Sequence, residues 1–123
     1  MLKLGNSVTV YVPKENNEGN ALNFDNQLNF LTSLFGGATK TAAEGQWVDD
    51  SGKVYVDRLD LVQYNYGDVT PYMVTTLMNT IVTIIRQGEQ MAVSVNINGT
   101  LYIFENTDST RSVLETLKNA MNV

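Results

Sequence analysis

The sequence predicts an α+β domain of ferredoxin-like arrangement, β-α-β-β-α-β, with two helices on one face of an antiparallel sheet and a C-terminal hairpin strand and helix added. Three observations predict it. Val8, Val10 and Val12 alternate with Thr9 and Tyr11, the signature of a half-buried strand. Two segments carry apolar residues at three- and four-residue spacing, and two strand-like segments lie between them. Asn98-Gly99 stands between two further strand-like runs, where a two-residue hairpin turn places such a pair.

The elements follow in order. Ser7 to Pro13 is the first strand, and Pro13, with no amide hydrogen to give, ends its pairing. Lys14 to Asn20 is a polar, turn-rich loop. Asn23 is a good N-cap for a helix whose stripe is Phe24, Leu28, Leu31, Leu34 and Phe35, and Gly36-Gly37 stops it. Thr39 to Val48 reads as an irregular strand with a bulge at Gly45. Asp49-Asp50-Ser51-Gly52 is a turn, and Lys53 to Tyr66 completes a hairpin. Thr70-Pro71 is a helix start, with proline tolerated at the first helical position. Val74, Leu77, Met78, Ile81, Val82 and Ile85 form its stripe, and Gly88 ends it.

Met91 to Phe104 is a pair of strands joined at Asn98-Gly99. A two-residue turn sets Val93, Val95 and Ile97 beside Phe104, Tyr102 and Thr100. Leu101 and Ile103 then point the other way, which implies a last strand covered on both sides or a longer loop. Asp108 or Ser109 caps a final helix carrying Val113, Leu114, Leu117 and Met121. The alternative architecture is an α+β sandwich in which that helix covers the second face. The 123 residues form a single domain, 1–123, without repeat or dividing linker.

Composition removes whole classes of chemistry. With no cysteine and no histidine there is no disulfide framework, no thiol nucleophile, no Ser-His-Asp arrangement and none of the usual zinc sites. The formal charge of −5, with eight scattered Lys and Arg, disfavours a nucleic-acid partner. Ile81 to Ile85 is too short to span a bilayer, and Met1 to Asn6 lacks the apolar stretch of a signal peptide, so the expected setting is cytoplasmic, without a membrane partner. No cofactor or metal is expected. Asp57 with Asp60, or Asp49 with Asp50, are carboxylate pairs on paper, but no set of nucleophile, base and orienting group can be named.

The candidate binding residues are Trp47, Tyr55, Arg58, Asp60, Tyr64 and Tyr66. Gly36-Gly37 is no phosphate cradle, because it closes a helix at the negative end of its dipole. Trp47, beside Gly45 on the hairpin, is either packing or a contact residue. Tyr64 and Tyr66 share a parity with Val62, Asp60 and Arg58, whereas Leu59 and Leu61 have the other. With the leucines turned to the helices, Arg58, Asp60, Tyr64 and Tyr66 lie on the open sheet face. There they form either an ordinary solvated surface with a cross-strand ion pair or a tyrosine platform with one guanidinium.

Val10-Tyr-Val-Pro13, Leu34-Phe-Gly-Gly-Ala-Thr39, Gly45-x-Trp47 with Gly52 and Asp57, and Ala92-Val-Ser-Val-x-x-Asn-Gly-Thr-Leu-Tyr102 together are similar to small uncharacterised proteins of bacteriophages and bacterial mobile elements. The likeness runs to Phe104 and extends, distantly, to a bacterial domain family of unknown function with a Gly-Gln-Trp hairpin, which more often has glutamate where Asp57 stands. It implies a ferredoxin-like α+β fold and a mobile-element source, and it carries over no residue roles.

The function expected from these readings is a small non-enzymatic binding protein. It would occupy a bacterial host protein, a defence component among the options, or sequester a nucleotide-like signal. A sequestering site needs Arg58, Lys40 or Lys53 to converge with Trp47 or the tyrosines. The alternatives are a dimeric ferredoxin-like enzyme, with a cavity between sheet and helices and Asp57, Arg58 and Tyr64 at its mouth, and a purely structural homo-oligomer, of which a homodimer is the simplest.

Overall fold

The computed structural model describes residues 1–123. Its elements are β1 (Asn6–Pro13), α1 (Asp25–Phe35), β2 (Thr39–Val48), β3 (Val54–Tyr66), α2 (Pro71–Gln87), β4 (Ala92–Ile97), β5 (Thr100–Glu105) and α3 (Thr110–Met121). The five strands form one sheet in the order β2-β3-β1-β4-β5, and every neighbouring pair is antiparallel. The β-α-β-β-α-β succession expected from the sequence is present through β4, with β5 and α3 appended. No helix is long and apolar enough to cross a membrane.

The ends of the elements follow local chemistry. Asn23 accepts the Asp25 amide through its side chain, one residue ahead of the N-cap position, which Phe24 occupies without a side-chain bond. Gly36 closes α1 at φ 91°, a left-handed conformation that penalises a β-carbon. The Thr70 hydroxyl accepts the Met73 amide, and Ser109, rather than Asp108, caps α3 through Ser112. Asn98 and Gly99 take φ 51° and 88°, so β4 and β5 are joined by the tight turn with the expected pairs Val93–Phe104, Val95–Tyr102 and Ile97–Thr100. Leu101 and Ile103 do point away, but nothing covers them: they are exposed. The expected bulge at Gly45 is absent, since β2 and β3 pair one to one from Val48–Val54 to Thr39–Gln63. Gly45 serves a close approach instead, as a β-carbon there would sit 2.9 Å from Leu59 Cδ1.

The core lies between one face of the sheet and the helices. Val8, Val10 and Val12 of β1, Val62, Tyr64 and Tyr66 of β3, and Val93, Val95 and Ile97 of β4 meet Leu28 and Leu31 of α1, the buried stripe of α2, and Val113, Leu117 and Met121 of α3. The last helix packs on α2 and joins the same core, so the other sheet face carries no helix and the alternative sandwich is not formed.

This arrangement reverses the expected facing of β3. Tyr64 and Tyr66 are inside, 0% and 4% exposed, and Leu59 and Leu61 turn to the open face. Cross-strand partners share a face, and β1 pairs Val8 with Tyr64 and Val10 with Val62, so the β1 valines draw the tyrosine parity inward. The Tyr64 phenol reaches the helix layer and donates to the Leu28 carbonyl at 3.1 Å, with its ring 5.1 Å from that of Phe35. The Tyr66 hydroxyl is equally enclosed but has no partner in hydrogen-bonding geometry. Burial pushes both phenols up from their usual pKa, opposed in part by the Thr32 hydroxyl at Tyr64 and by Asn98 at Tyr66.

The two tyrosines therefore respond differently to loss of the hydroxyl. Tyr64→Phe is expected to cost about 1 kcal/mol by leaving a buried carbonyl with one donor fewer, whereas Tyr66→Phe leaves stability unchanged or raised. Urea unfolding of the two variants against the parent measures this. Equal losses would contradict the bonding described here.

Candidate functional site

Strand β3 outruns its neighbour. Leu59 to Tyr66 pair with β1 on one side and mostly with β2 on the other, but Val54 to Asp57 pair only with Gly45 to Val48. A two-stranded ribbon thus projects beyond the sheet by about four residues, roughly 14 Å. Its turn is built on Asp49, whose carboxylate accepts the Ser51 amide and hydroxyl, the Lys53 amide and the Tyr55 hydroxyl. These bonds, the Ser51 hydroxyl foremost, hold the Asp49 carboxyl below its usual pKa.

On the ribbon face continuous with the open side of the sheet, Trp47 stacks on Tyr55 with ring centres 4.2 Å apart. The Trp47 indole donates to Asp57 at 3.0 Å, and the Lys53 ammonium lies 4.8 Å from the centre of the Tyr55 ring. Trp47 keeps 47% of its surface exposed. On the opposite face Val48, Val54 and Val56 are all exposed.

That second face leads into a charged hollow between sheet and α1. Asp60, opposite Val12, shares the parity of the buried Val62 and Tyr64 but lies where the helix layer ends. Its carboxylate is 3.2 Å from Lys14 Nζ and 3.6 Å from Lys40 Nζ, and Lys40 reaches on to Asp25 at 4.0 Å. The four charges alternate around a cavity of about 140 Å³, whose other walls include Val12, Leu22, Phe24 and Leu28. Arg58, next along the same face, bonds Glu15 at 2.8 Å, and the cross-strand ion pair is that of Asp60 with Lys40 of β2, formed on the helix side and not on the open face. A larger hollow of about 360 Å³ lies between the end of α2 and β5, with Arg86, Glu89, Glu105 and Asp108 at its rim, and contains none of the six candidate binding residues.

The six candidate residues are therefore divided. Trp47 and Tyr55 stand together on one ribbon face, Arg58 and Asp60 on the other, and Tyr64 and Tyr66 lie in the core. Of the three cations considered for a sequestering site, Lys53 meets Tyr55 beside Trp47, whereas Lys40 meets Asp60 and Arg58 meets Glu15 on the other face. Lys14 and Asp25 were not among the candidates. Lys14 reads as loop and Asp25 as a helix first-turn acid. Only the β1–β3 register, which carries Lys14 past Pro13 to the level of Arg58, brings it to Asp60.

The fold is shared with a phage SAM lyase. The structure of that lyase in complex with S-methyl-5′-thioadenosine superposes with a TM-score of 0.60 at 13% identity, over 85% of this chain and 95% of that one. The same kind of protein in its apo state gives 0.57 at 11% identity, over 89% and 98%. No family model matches the sequence, and no curated protein matches it.

Because Trp47 binds only groups of its own ribbon, its removal is expected to act locally. Trp47→Ala should cost at most about 1.5 kcal/mol of global stability while hydrogen exchange speeds up at residues 44–48 and 54–58. Unchanged exchange there would show that the stack does not hold the ribbon.

Proposed function

We propose that the chain is an enzyme of the SAM lyase kind, acting on S-adenosylmethionine or a closely related sulfonium nucleoside. The observation that carries this is the match of fold along nearly the whole length of a phage SAM lyase that binds methylthioadenosine. We read the β2-β3-β1-β4 portion of the sheet as ferredoxin-like, with β5 as its extension. The hollow between sheet and α1, with Asp60, Lys14 and Lys40 at its rim, is the site we favour, and Arg58 with Glu15 stands at its mouth. This reading favours the enzymatic alternative over a binder of a host protein; the host component acted on is a small molecule.

The chemistry suits a chain without histidine or cysteine. Cleavage that leaves methylthioadenosine breaks the bond between the sulfonium sulfur and the aminobutyrate carbon. The electron pair of that bond stays on sulfur, which departs as a neutral thioether, while the substrate's own α-carboxylate supplies the pair that closes on the carbon left behind and gives a five-membered lactone. Such a leaving group needs no proton, so the protein needs no general acid to assist it. What it must supply is a fixed conformation of the departing chain and exclusion of bulk water.

The test is incubation of the purified chain with S-adenosylmethionine and chromatographic measurement of methylthioadenosine against a protein-free control. Many product equivalents per chain are expected, with Asp60→Asn lowering kcat/KM at least tenfold, equivalent to about 1.4 kcal/mol. Product no faster than the control would refute the proposal.

The ribbon favours a homo-oligomer as the working form, because Val48, Val54 and Val56 on one side and Trp47 on the other have no cover within the subunit. Native mass spectrometry should find more than one copy, and Val54→Lys with Val56→Lys should shift the population to monomer. A monomeric parent would remove this part of the proposal.

A further inference from the structure

The alternating charges around the small hollow are set for a ligand that itself carries both signs. We infer that Lys14, Asp60, Lys40 and Asp25 form a recognition ring for an α-amino-acid head group, either on a free amino acid or at the end of a larger ligand; where that ligand is S-adenosylmethionine, the inference rests on the reading above.

The ring is assembled but not closed. Lys40 stands 3.6 Å from Asp60 and 4.0 Å from Asp25, both beyond ordinary hydrogen-bond length, so its ammonium holds attraction without a committed bond. The Asp60 carboxylate, with only 19% of its side chain exposed, meets Lys14 at 3.2 Å and accepts no bond from a backbone amide or hydroxyl. The ring opens to solvent, with Lys14 32%, Lys40 53% and Asp25 61% exposed, so a ligand with matching donors and acceptors can reach all four charges. A lone anion would find Lys14 and Lys40 but meet Asp60 between them. A lone cation would find Asp60 and Asp25 but meet Lys40. An α-amino acid presents carboxylate and ammonium on one carbon, at the few-ångström step by which these charges alternate.

The remaining walls agree with this chemistry. The hollow of about 140 Å³ has room for four or five waters at about 30 Å³ each, which is the scale of a head group and not of a nucleoside. Leu22, Phe24 and Leu28 line one side and suit the methylenes that follow the α-carbon.

The experiment is an amide-resolved NMR titration of the full chain with five probes: L-methionine, its analogue lacking the carboxylate, its analogue lacking the ammonium, S-adenosylmethionine and methylthioadenosine. L-Methionine and S-adenosylmethionine are expected to shift the amides of Lys14, Leu22 to Asp25, Lys40 and Asp60. Each truncated analogue should bind at least tenfold more weakly than L-methionine. Lys40→Met and the surface change Asp25→Asn should each weaken L-methionine at least threefold with unfolding midpoints preserved. If L-methionine binds in this way but S-adenosylmethionine is neither bound nor cleaved, the head-group site stands and the lyase reading falls. If S-adenosylmethionine and methylthioadenosine bind equally well and L-methionine leaves the ring unshifted, the inference is overturned while the lyase reading survives. No shift with any probe overturns both.

Discussion

The pairing of β1 with β3 sets the inward side of the whole molecule. Val8, Val10 and Val12 are committed to the helix layer, and strand geometry obliges their partners Tyr64, Val62 and Asp60 to face the same way. Two of these partners are accommodated easily, Val62 by size and Tyr64 by its hydroxyl bond to Leu28. Asp60 is a carboxylate on a core parity, and it is tolerated because it falls at the edge of the helix layer with Lys14 and Lys40 against it. The charged hollow is thus a consequence of register: one strand continues in phase past the point where apolar cover ends. The same continuation produces the ribbon, whose valines keep the core parity where there is no core.

Much of this architecture was legible because it is written in short-range chemistry. The β1 alternation, the α2 stripe with Thr70-Pro71 ahead of it, and the Asn98-Gly99 turn each act within a few residues, and each forms the element expected. The facing of β3 was not legible, because the segment offers apolar residues on both parities: Leu59 and Leu61 on one, Val62 and the tyrosines on the other. Treating leucine as the core residue and tyrosine as the surface residue chose the wrong side. The choice is made by β1, about fifty residues earlier in the chain, and by the reach of a phenol to a helix carbonyl, neither of which a local window contains.

The site divides along the same line. Trp47 and Tyr55 were singled out separately, and the hairpin with its short turn pairs them and stacks their rings. Arg58 and Asp60 were placed on the open sheet face, where a cross-strand ion pair was one reading. In the fold each instead meets residues brought by a different element, Glu15 from the loop after β1 and Lys40 from β2. Lys14 and Asp25 carry no pattern of their own. A lysine after a strand and an aspartate in the first turn of a helix are commonplace, and only the closing of the sheet against α1 gives them a shared hollow.

The absence of histidine and cysteine, which argued against catalysis when the sequence alone was considered, takes a different weight once the sulfonium is the reacting group. A catalytic set exists to make a poor leaving group depart or a weak nucleophile attack. A sulfonium is already activated, and its departure disperses charge. Strong positive or negative groups close to sulfur are of little use to that step, whereas groups that fix the far end of the chain govern its conformation and so its rate. A ring of four alternating charges at the edge of a small hollow is the kind of apparatus the proposed reaction calls for. On the proposed reading the plainness of the composition and the chemistry belong together: the reactivity would reside in the substrate, and the fold would contribute its position.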